Sequence, residues 1–290
     1  MSTAMAKVSS SKKLSTFAGY QRVRILGTGA HSTIWQVKDL KGGRVCALKS
    51  VVWDSHEHER FFEQTLNEYN VASRIDHPNV RKVYELRRVR KILRVRELQL
   101  LMEFCPGRSV QEQRPRSLVG VCSVFGQTAH ALQKIHEHGF VHGDMKPDNI
   151  IVDEHGNVKI IDLGHACPMK TIKDRIQGSP DFIAPEQIHL EPLDARTDVF
   201  NYGAALYWAL CGKYMPSLMS TNGGLSKSVH VIPPHEYNSD IPPLLSRLVM
   251  DCIQVRPMDR PQTMREVIAR LAVVLQKELQ PTPAAPAPVE

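Results

Sequence analysis

The chain has 290 residues, 42% hydrophobic and 23% charged, which is enough apolar mass to bury a sizeable core and too much for a disordered chain. Its formal net charge of +7 is local: the eight basic residues and single acid between Arg81 and Arg96 carry all of it, so a general nucleic-acid-binding surface is excluded. Six cysteines (Cys46, Cys105, Cys122, Cys167, Cys211, Cys252) lack any C-x-x-C spacing, which argues against a zinc ribbon or redox pair and predicts buried, reduced thiols in a cytoplasmic protein.

Along the chain, residues 1–18 are polar, carry Lys7, Lys12 and Lys13, and lack the apolar core of a signal peptide, so a flexible segment is expected. Val23 to Leu26 and Ile34 to Val37 read as strands flanking Gly27-Thr28-Gly29-Ala30-His31-Ser32-Thr33-Ile34. Gly27 and Gly29 let backbone amides approach phosphate oxygens. A turn glycine is the commoner explanation of either alone, but Lys49, on a strand over Val45 to Val52, reverses that preference. Phe61 to Ile75 reads as a helix, with Phe62, Leu66, Tyr69, Val71 and Ile75 as its apolar stripe and Glu68 available to point inward; His77-Pro78-Asn79 ends it. In the basic stretch, Val89, Ile92, Leu93 and Val95 interleave with the charges. That pattern suits two paired strands with one solvated face, the other reading being a surface for an acidic partner. Leu98 to Phe104 is an apolar strand leading into Cys105-Pro106-Gly107.

Helices dominate beyond that point. Val121, Phe125, Ala129, Leu132 and Ile135 recur at helical spacing, and further helices are predicted over Asp198 to Cys211, Leu244 to Cys252 and Met264 to Lys277. The stretch from Val199 to Cys211 is shorter than the roughly 20 residues a membrane helix needs, so no span is expected. Residues 280–290 are rich in proline and alanine and should be extended. The most telling feature is His142-Gly143-Asp144-Met145-Lys146-Pro147-Asp148-Asn149, followed 13 positions after Asn149 by Asp162-Leu163-Gly164. A base, a cation and two metal ligands are the set that phosphoryl transfer needs, because catalysis there is positioning and charge neutralisation rather than covalent chemistry.

With Ala184-Pro185-Glu186, Asp198-Val199-Phe200 and Asp259-Arg260-Pro261 following in order, the chain resembles the eukaryotic-like, bacterial-type serine/threonine protein kinases over about residues 20 to 275. The resemblance implies an α+β, two-lobed kinase domain over 19–279. A small antiparallel sheet with one regulatory helix would occupy 19–102, and a mainly helical lobe 103–279. It implies ATP with magnesium or manganese, and protein substrates including the chain itself. ATP contacts would come from Leu26, Gly27, Thr28, Gly29, Ile34, Ala47, Lys49, Glu68, Met102, Glu103, Cys105 and Ile151, with Ile34 capping adenine beside Ala47 and Lys49 on the phosphates, paired with Glu68. Asp144 would be the base, Lys146 would sit near the γ-phosphate, and Asn149 and Asp162 would hold metal. In the activation segment, Thr171 is the one hydroxyl between Leu163 and Gly178, Ser179 is placed to bond Asp144 and Lys146, and Glu186 would form a buried pair with Arg260. His142 and Asp198 would be structural, the latter bracing the catalytic loop.

The sequence departs from the family pattern at Ser32 (third glycine of the loop), Ala72 (a larger apolar residue), Gly143 (arginine) and Leu163 (phenylalanine). Gly143 also raises a small-molecule phosphotransferase of the aminoglycoside type, which Lys146 and the segment from Gly178 to Glu186 oppose. Lys146 and Ser179 favour serine/threonine over tyrosine. A pseudokinase that binds nucleotide without transfer is the non-enzymatic alternative, opposed by the survival of Lys49, Glu68, Asp144, Asn149 and Asp162 together. The loop from Pro233 to Pro243 looks like that of bacterial members.

Overall fold

The computed structural model describes residues 17, 19–29, 31–53, 59–92, 94–216 and 230–277. The expected N-terminal segment (Phe17 apart) and the Pro/Ala-rich tail lie outside these residues. The chain forms two compact units, Met1–Phe62 with Tyr84–Phe104, and Glu63–Val83 with Cys105–Glu290.

The first unit is a five-stranded sheet in the order β1-β2-β3-β5-β4, built from β1 (Tyr20–Thr28), β2 (Ser32–Asp39), β3 (Val45–Val52), β4 (Val83–Lys91) and β5 (Arg94–Glu103). The basic stretch is thus two paired strands. Because side chains alternate along a strand, Val37, Cys46, Leu48 and Leu101 share one face and, with Phe17, make a small core. The antiparallel register sets Ile34 opposite Lys49, Lys49 opposite Leu100, and Ala47 opposite Met102. Ile34, Ala47, Lys49 and Met102 therefore line the face opposite that core. A register shift between Ile25 and Gly27 puts Leu26 in a bulge at the mouth of the glycine loop.

Helix α1 (Glu59–Ala72) ends three residues short of Ile75, where the last turn tightens into Arg74 N–H to Val71 O and Ile75 N–H to Ala72 O bonds. Beyond Phe62 it belongs to the second unit. That unit is built on α2 (Leu118–Glu137), α4 (Ala195–Cys211), α6 (Pro243–Cys252) and α7 (Met264–Lys277), with short α3 (Pro185–Ile188) and α5 (Pro234–Tyr237). Ser117 caps α2 by accepting the Gly120 N–H at 3.0 Å. Helices α4 and α6 meet at Gly203, where a Cβ would lie 2.5 Å from Cys252 Cβ, so only glycine allows the approach. Burial there pushes the Cys252 thiol up to about 12. Among the described residues no helix is long and apolar enough to cross a membrane.

Five short strands hold the motif residues. β7 (Phe140–Val141) ends at the catalytic loop and pairs with β10 (Cys167–Pro168), while β6 (Arg108–Ser109), β8 (Ile150–Val152) and β9 (Val158–Ile160) form a second small sheet. His142 to Asn149 thus lies between β7 and β8, and Asp162 follows β9 by two residues.

Candidate active site

The catalytic loop is fixed from below by Asp198, a fully buried residue of α4. Its carboxylate accepts the backbone N–H groups of His142 and Gly143, each at 2.8 Å, and meets His136 Nε2 at 2.7 Å. Burial alone would raise its pKa. The His136 hydrogen bond, the fields of His136 and His142 and the Gly143 N–H outweigh that, so the group lies below the usual carboxylate range. Gly143 takes φ 73, which glycine adopts without the steric cost that a side chain brings. His142 is buried and its Nδ1 accepts the Asp144 N–H at 3.2 Å, which leaves Nε2 without a partner.

Above this brace Asp144, Lys146 and Ser179 form a closed triangle. Asp144 Oδ1 accepts both the backbone N–H and the hydroxyl of Ser179 at 2.9 Å, Lys146 Nζ donates to Ser179 Oγ at 2.8 Å, and Lys146 lies 3.6 Å from Asp144 Oδ2. Asn149 donates from Nδ2 to the Asp144 carbonyl at 2.8 Å, which leaves its Oδ1 as the end able to take a cation. Asp162 sits at φ 63, a left-handed conformation that costs a non-glycine residue free energy, and its Oδ1 accepts the Gly164 N–H at 3.2 Å. One carboxylate and one amide oxygen are donors of the kind a hard divalent cation takes.

Three polar residues of this unit were not legible as site residues. Asn67 Nδ2 donates to the carbonyls of Ala166 at 2.7 Å, Gly164 at 3.0 Å and Leu163 at 3.4 Å, so α1 is tied to the backbone of the Asp162 triplet. Arg81 forms an ion pair of 2.6 Å with buried Glu68, while its own N–H reaches Ile160 O at 2.9 Å. Gln187 donates to Gly143 O at 2.8 Å and Gln177 O at 3.1 Å, which joins the catalytic loop to the activation segment. Their partners are backbone carbonyls or charges distant in sequence, and no motif marks them. Replacing Asn67 by Leu leaves three carbonyls short of a donor. We expect at least a tenfold fall in turnover and a melting temperature lower by several degrees, with Asn67→Gln recovering part of both.

Glu186 and Arg260 make a bidentate pair at 2.7 and 2.9 Å. Both are buried. Thr171 donates to Pro168 O at 2.6 Å and its carbonyl accepts the Leu193 N–H at 3.0 Å, while Lys173 Nζ reaches His165 O at 3.0 Å. In the first unit, Gly29 N–H closes the glycine loop onto Ser32 O at 2.8 Å, Met102 and Ala47 are buried, and Lys49 is half-buried. Glu103 and Cys105 are half-buried, as is Ile151 on β8.

The family model described as the protein kinase domain matches residues 20–271. The chain is 28% identical over 261 residues to a probable serine/threonine-protein kinase of Clostridium acetobutylicum, an alignment that spans 86% of this chain and 39% of that protein. It is 26% identical over 278 residues to the serine/threonine-protein kinase PknB of Mycolicibacterium smegmatis, covering 91% and 44% respectively. It is 29% identical over 241 residues to the serine/threonine-protein kinase PknA of Mycobacterium tuberculosis, covering 79% and 55%. The chain thus spans about two fifths of the length of the first relatives it matches.

Proposed function

Because the chain belongs to the protein kinase domain family, we propose that it transfers the γ-phosphoryl group of ATP to serine or threonine hydroxyls of proteins, itself included. The observation that carries this reading is the Asp144–Lys146–Ser179 triangle. Asp144 is fixed where it can take an acceptor's proton, and Lys146 where it can neutralise the transferring group. As the acceptor oxygen bonds to phosphorus, the bond from phosphorus to the bridging β,γ-oxygen breaks, the proton goes to Asp144 and ADP departs. Asn149 and Asp162 would hold magnesium, which when bound offsets phosphate charge; manganese fits the same donors. We assign nucleotide contacts in the first unit to Leu26, Gly27, Thr28, Gly29, Ile34, Ala47, Lys49, Met102 and Glu103, and in the second to Cys105 and Ile151. The six cysteines are free thiols, four buried and Cys105 and Cys211 half-buried, which fits a reducing, cytoplasmic setting.

The test is incubation of the purified chain with γ-labelled ATP, magnesium and a generic protein substrate, followed by phosphoamino-acid analysis. Label on serine or threonine is expected. Nucleotide binding without transfer, label on tyrosine, or transfer to an aminoglycoside alone would overturn the reading.

The activation segment is held by uncharged bonds through Thr171 and by Lys173 on a backbone carbonyl, and Gly143 supplies no cation for a phosphate beside Asp144. Phosphorylation normally orders such a segment by adding charge-assisted bonds. We therefore expect Thr171→Ala to keep activity within about threefold of wild type, under about 0.7 kcal/mol in the barrier. A hundredfold loss restored by Thr171→Glu would show phosphate control instead.

A further inference from the structure

We propose that the second unit carries a binding site for a phosphomonoester, in a cavity of about 480 Å³ between β6, the β8–β9 turn and the start of α2. Its lining includes Arg108, Arg114, Arg116, Ser123, Asp153 and Glu154. One wall is the segment from Arg108 to Arg116, which runs from β6 to the Ser117 cap of α2, and the other is the turn that follows Val152. None of these residues belongs to the site built around Asp144. The volume lies within the range of small-ligand sites, about 300–1,000 Å³.

The charges on the lining select the ligand. Arg108, Arg114 and Arg116 are exposed and make no ion pair among the described residues. Glu112, the one acid within that segment, accepts the Ser109 N–H at 3.1 Å instead. Asp153 is spent on its own turn: Oδ1 accepts the N–H groups of His155 and Asn157 at 2.9 and 2.8 Å, and Oδ2 accepts from Asn157 Nδ2 at 2.9 Å. The Glu154 side chain is 88% exposed and lies 3.6 Å from His155 Nε2. Two carboxylates thus share the cavity with three guanidiniums without pairing. A phosphate monoester brings close to two charges and three acceptor oxygens that match the guanidinium fork, so it can take what a lone carboxylate leaves.

Two further features favour an anion here. The Arg114 guanidinium packs against Gly212, the residue that closes α4, so closely that a side chain there would collide with it. An arginine fixed in advance loses less freedom on binding. Helix α2 begins at the cavity, with Gly120 and Ser123 of its first two turns on the lining and no acid in the first turn. The positive end of its dipole therefore adds to the field of the arginines. A phosphate on a peptide hydroxyl, the product of the reaction proposed above, and a small phosphorylated metabolite share this chemistry.

The probes are a peptide bearing one phosphothreonine, the same peptide unphosphorylated, and glycerol 3-phosphate, each titrated calorimetrically into the full chain without ATP. Saturable binding that requires the phosphate is expected, weakened by salt. Tighter binding of the phosphopeptide supports a peptide ligand, and tighter binding of glycerol 3-phosphate supports a metabolite. Affinity should fall at least about tenfold in Arg108→Gln/Arg116→Gln, and Arg108→Lys/Arg116→Lys should recover only part, because an ammonium lacks the fork. Both variants should bind magnesium and ADP as wild type does, and their melting should hardly move, because exposed charges contribute little to stability. Saturating ADP with magnesium should leave the affinity for the phosphate probe unchanged, which sets this cavity apart from the nucleotide site. Absence of binding, binding indifferent to the phosphate or to the two arginines, or displacement by ADP would each overturn the proposal.

Discussion

Asp144→Asn is expected to lower phosphoryl transfer by about 10²- to 10⁴-fold, the usual range for loss of a positioned general base. Asparagine keeps an oxygen where Asp144 Oδ1 accepts from the Ser179 N–H and hydroxyl, so the local fold should survive. What disappears is the charge that faces Lys146 at 3.6 Å and, on the proposed reading, the proton acceptor. Nucleotide affinity should stay within a few-fold of wild type. The companion change is best made as Asp162→Asn rather than to alanine, because the residue sits at φ 63, where asparagine is tolerated and alanine is strained. That variant should also lose transfer, and with it the magnesium dependence of nucleotide binding. Fluorescent-nucleotide titration with and without magnesium, beside a transfer assay, separates the two roles. Activity persisting in either variant would remove that residue from the mechanism.

Arg260→Met should give the largest loss of stability. The guanidinium spends all five donors: two on Glu186, and one each on Gln254 O, Arg196 O and Val255 O at 2.7, 2.9 and 2.9 Å. It also stacks over Phe200, with 4.9 Å from Cζ to the ring centroid. Removing it strands a carboxylate on Glu186, a residue only 3% exposed, together with three carbonyls. Breaking a buried pair of this kind costs about 3–5 kcal/mol, which in a chain of this size lowers the melting temperature by about 6–20 °C. Arg260→Lys cannot reproduce the fork and should recover little. Arg260→Met with Glu186→Leu should recover more than half, since no bare charge then remains. A single variant that melts within about 2 °C of wild type would show that the pair is dispensable.

The helix α2 was legible because a 3.6-residue repeat sustained over ten or more positions carries its own signal, whereas α4, buried at every position from Thr197 to Ala209, shows no stripe and was legible as an apolar run. Strands of two or three residues, such as β7 and β10, contain too few positions for any alternation to register, and their partners lie far along the chain. The order of the motifs named Asp144, Lys146, Asn149 and Asp162, yet it did not reveal that Asn67 and Arg81 bind α1 to the segment around Asp162. Such residues act through backbone carbonyls and remote charges, which leave no spacing rule in a single sequence. The same limit hid where α1 stops, since a tightened last turn keeps the apolar pattern running to Ile75 after the α-helix has ended.

The anchoring of the activation segment bears on how a cell would govern this protein. Cys167 pairs with Val141 in a short ladder, and the Thr171 carbonyl accepts the Leu193 N–H. If transfer proceeds as proposed and Thr171→Ala retains it, a phosphatase acting on Thr171 would have nothing to switch off.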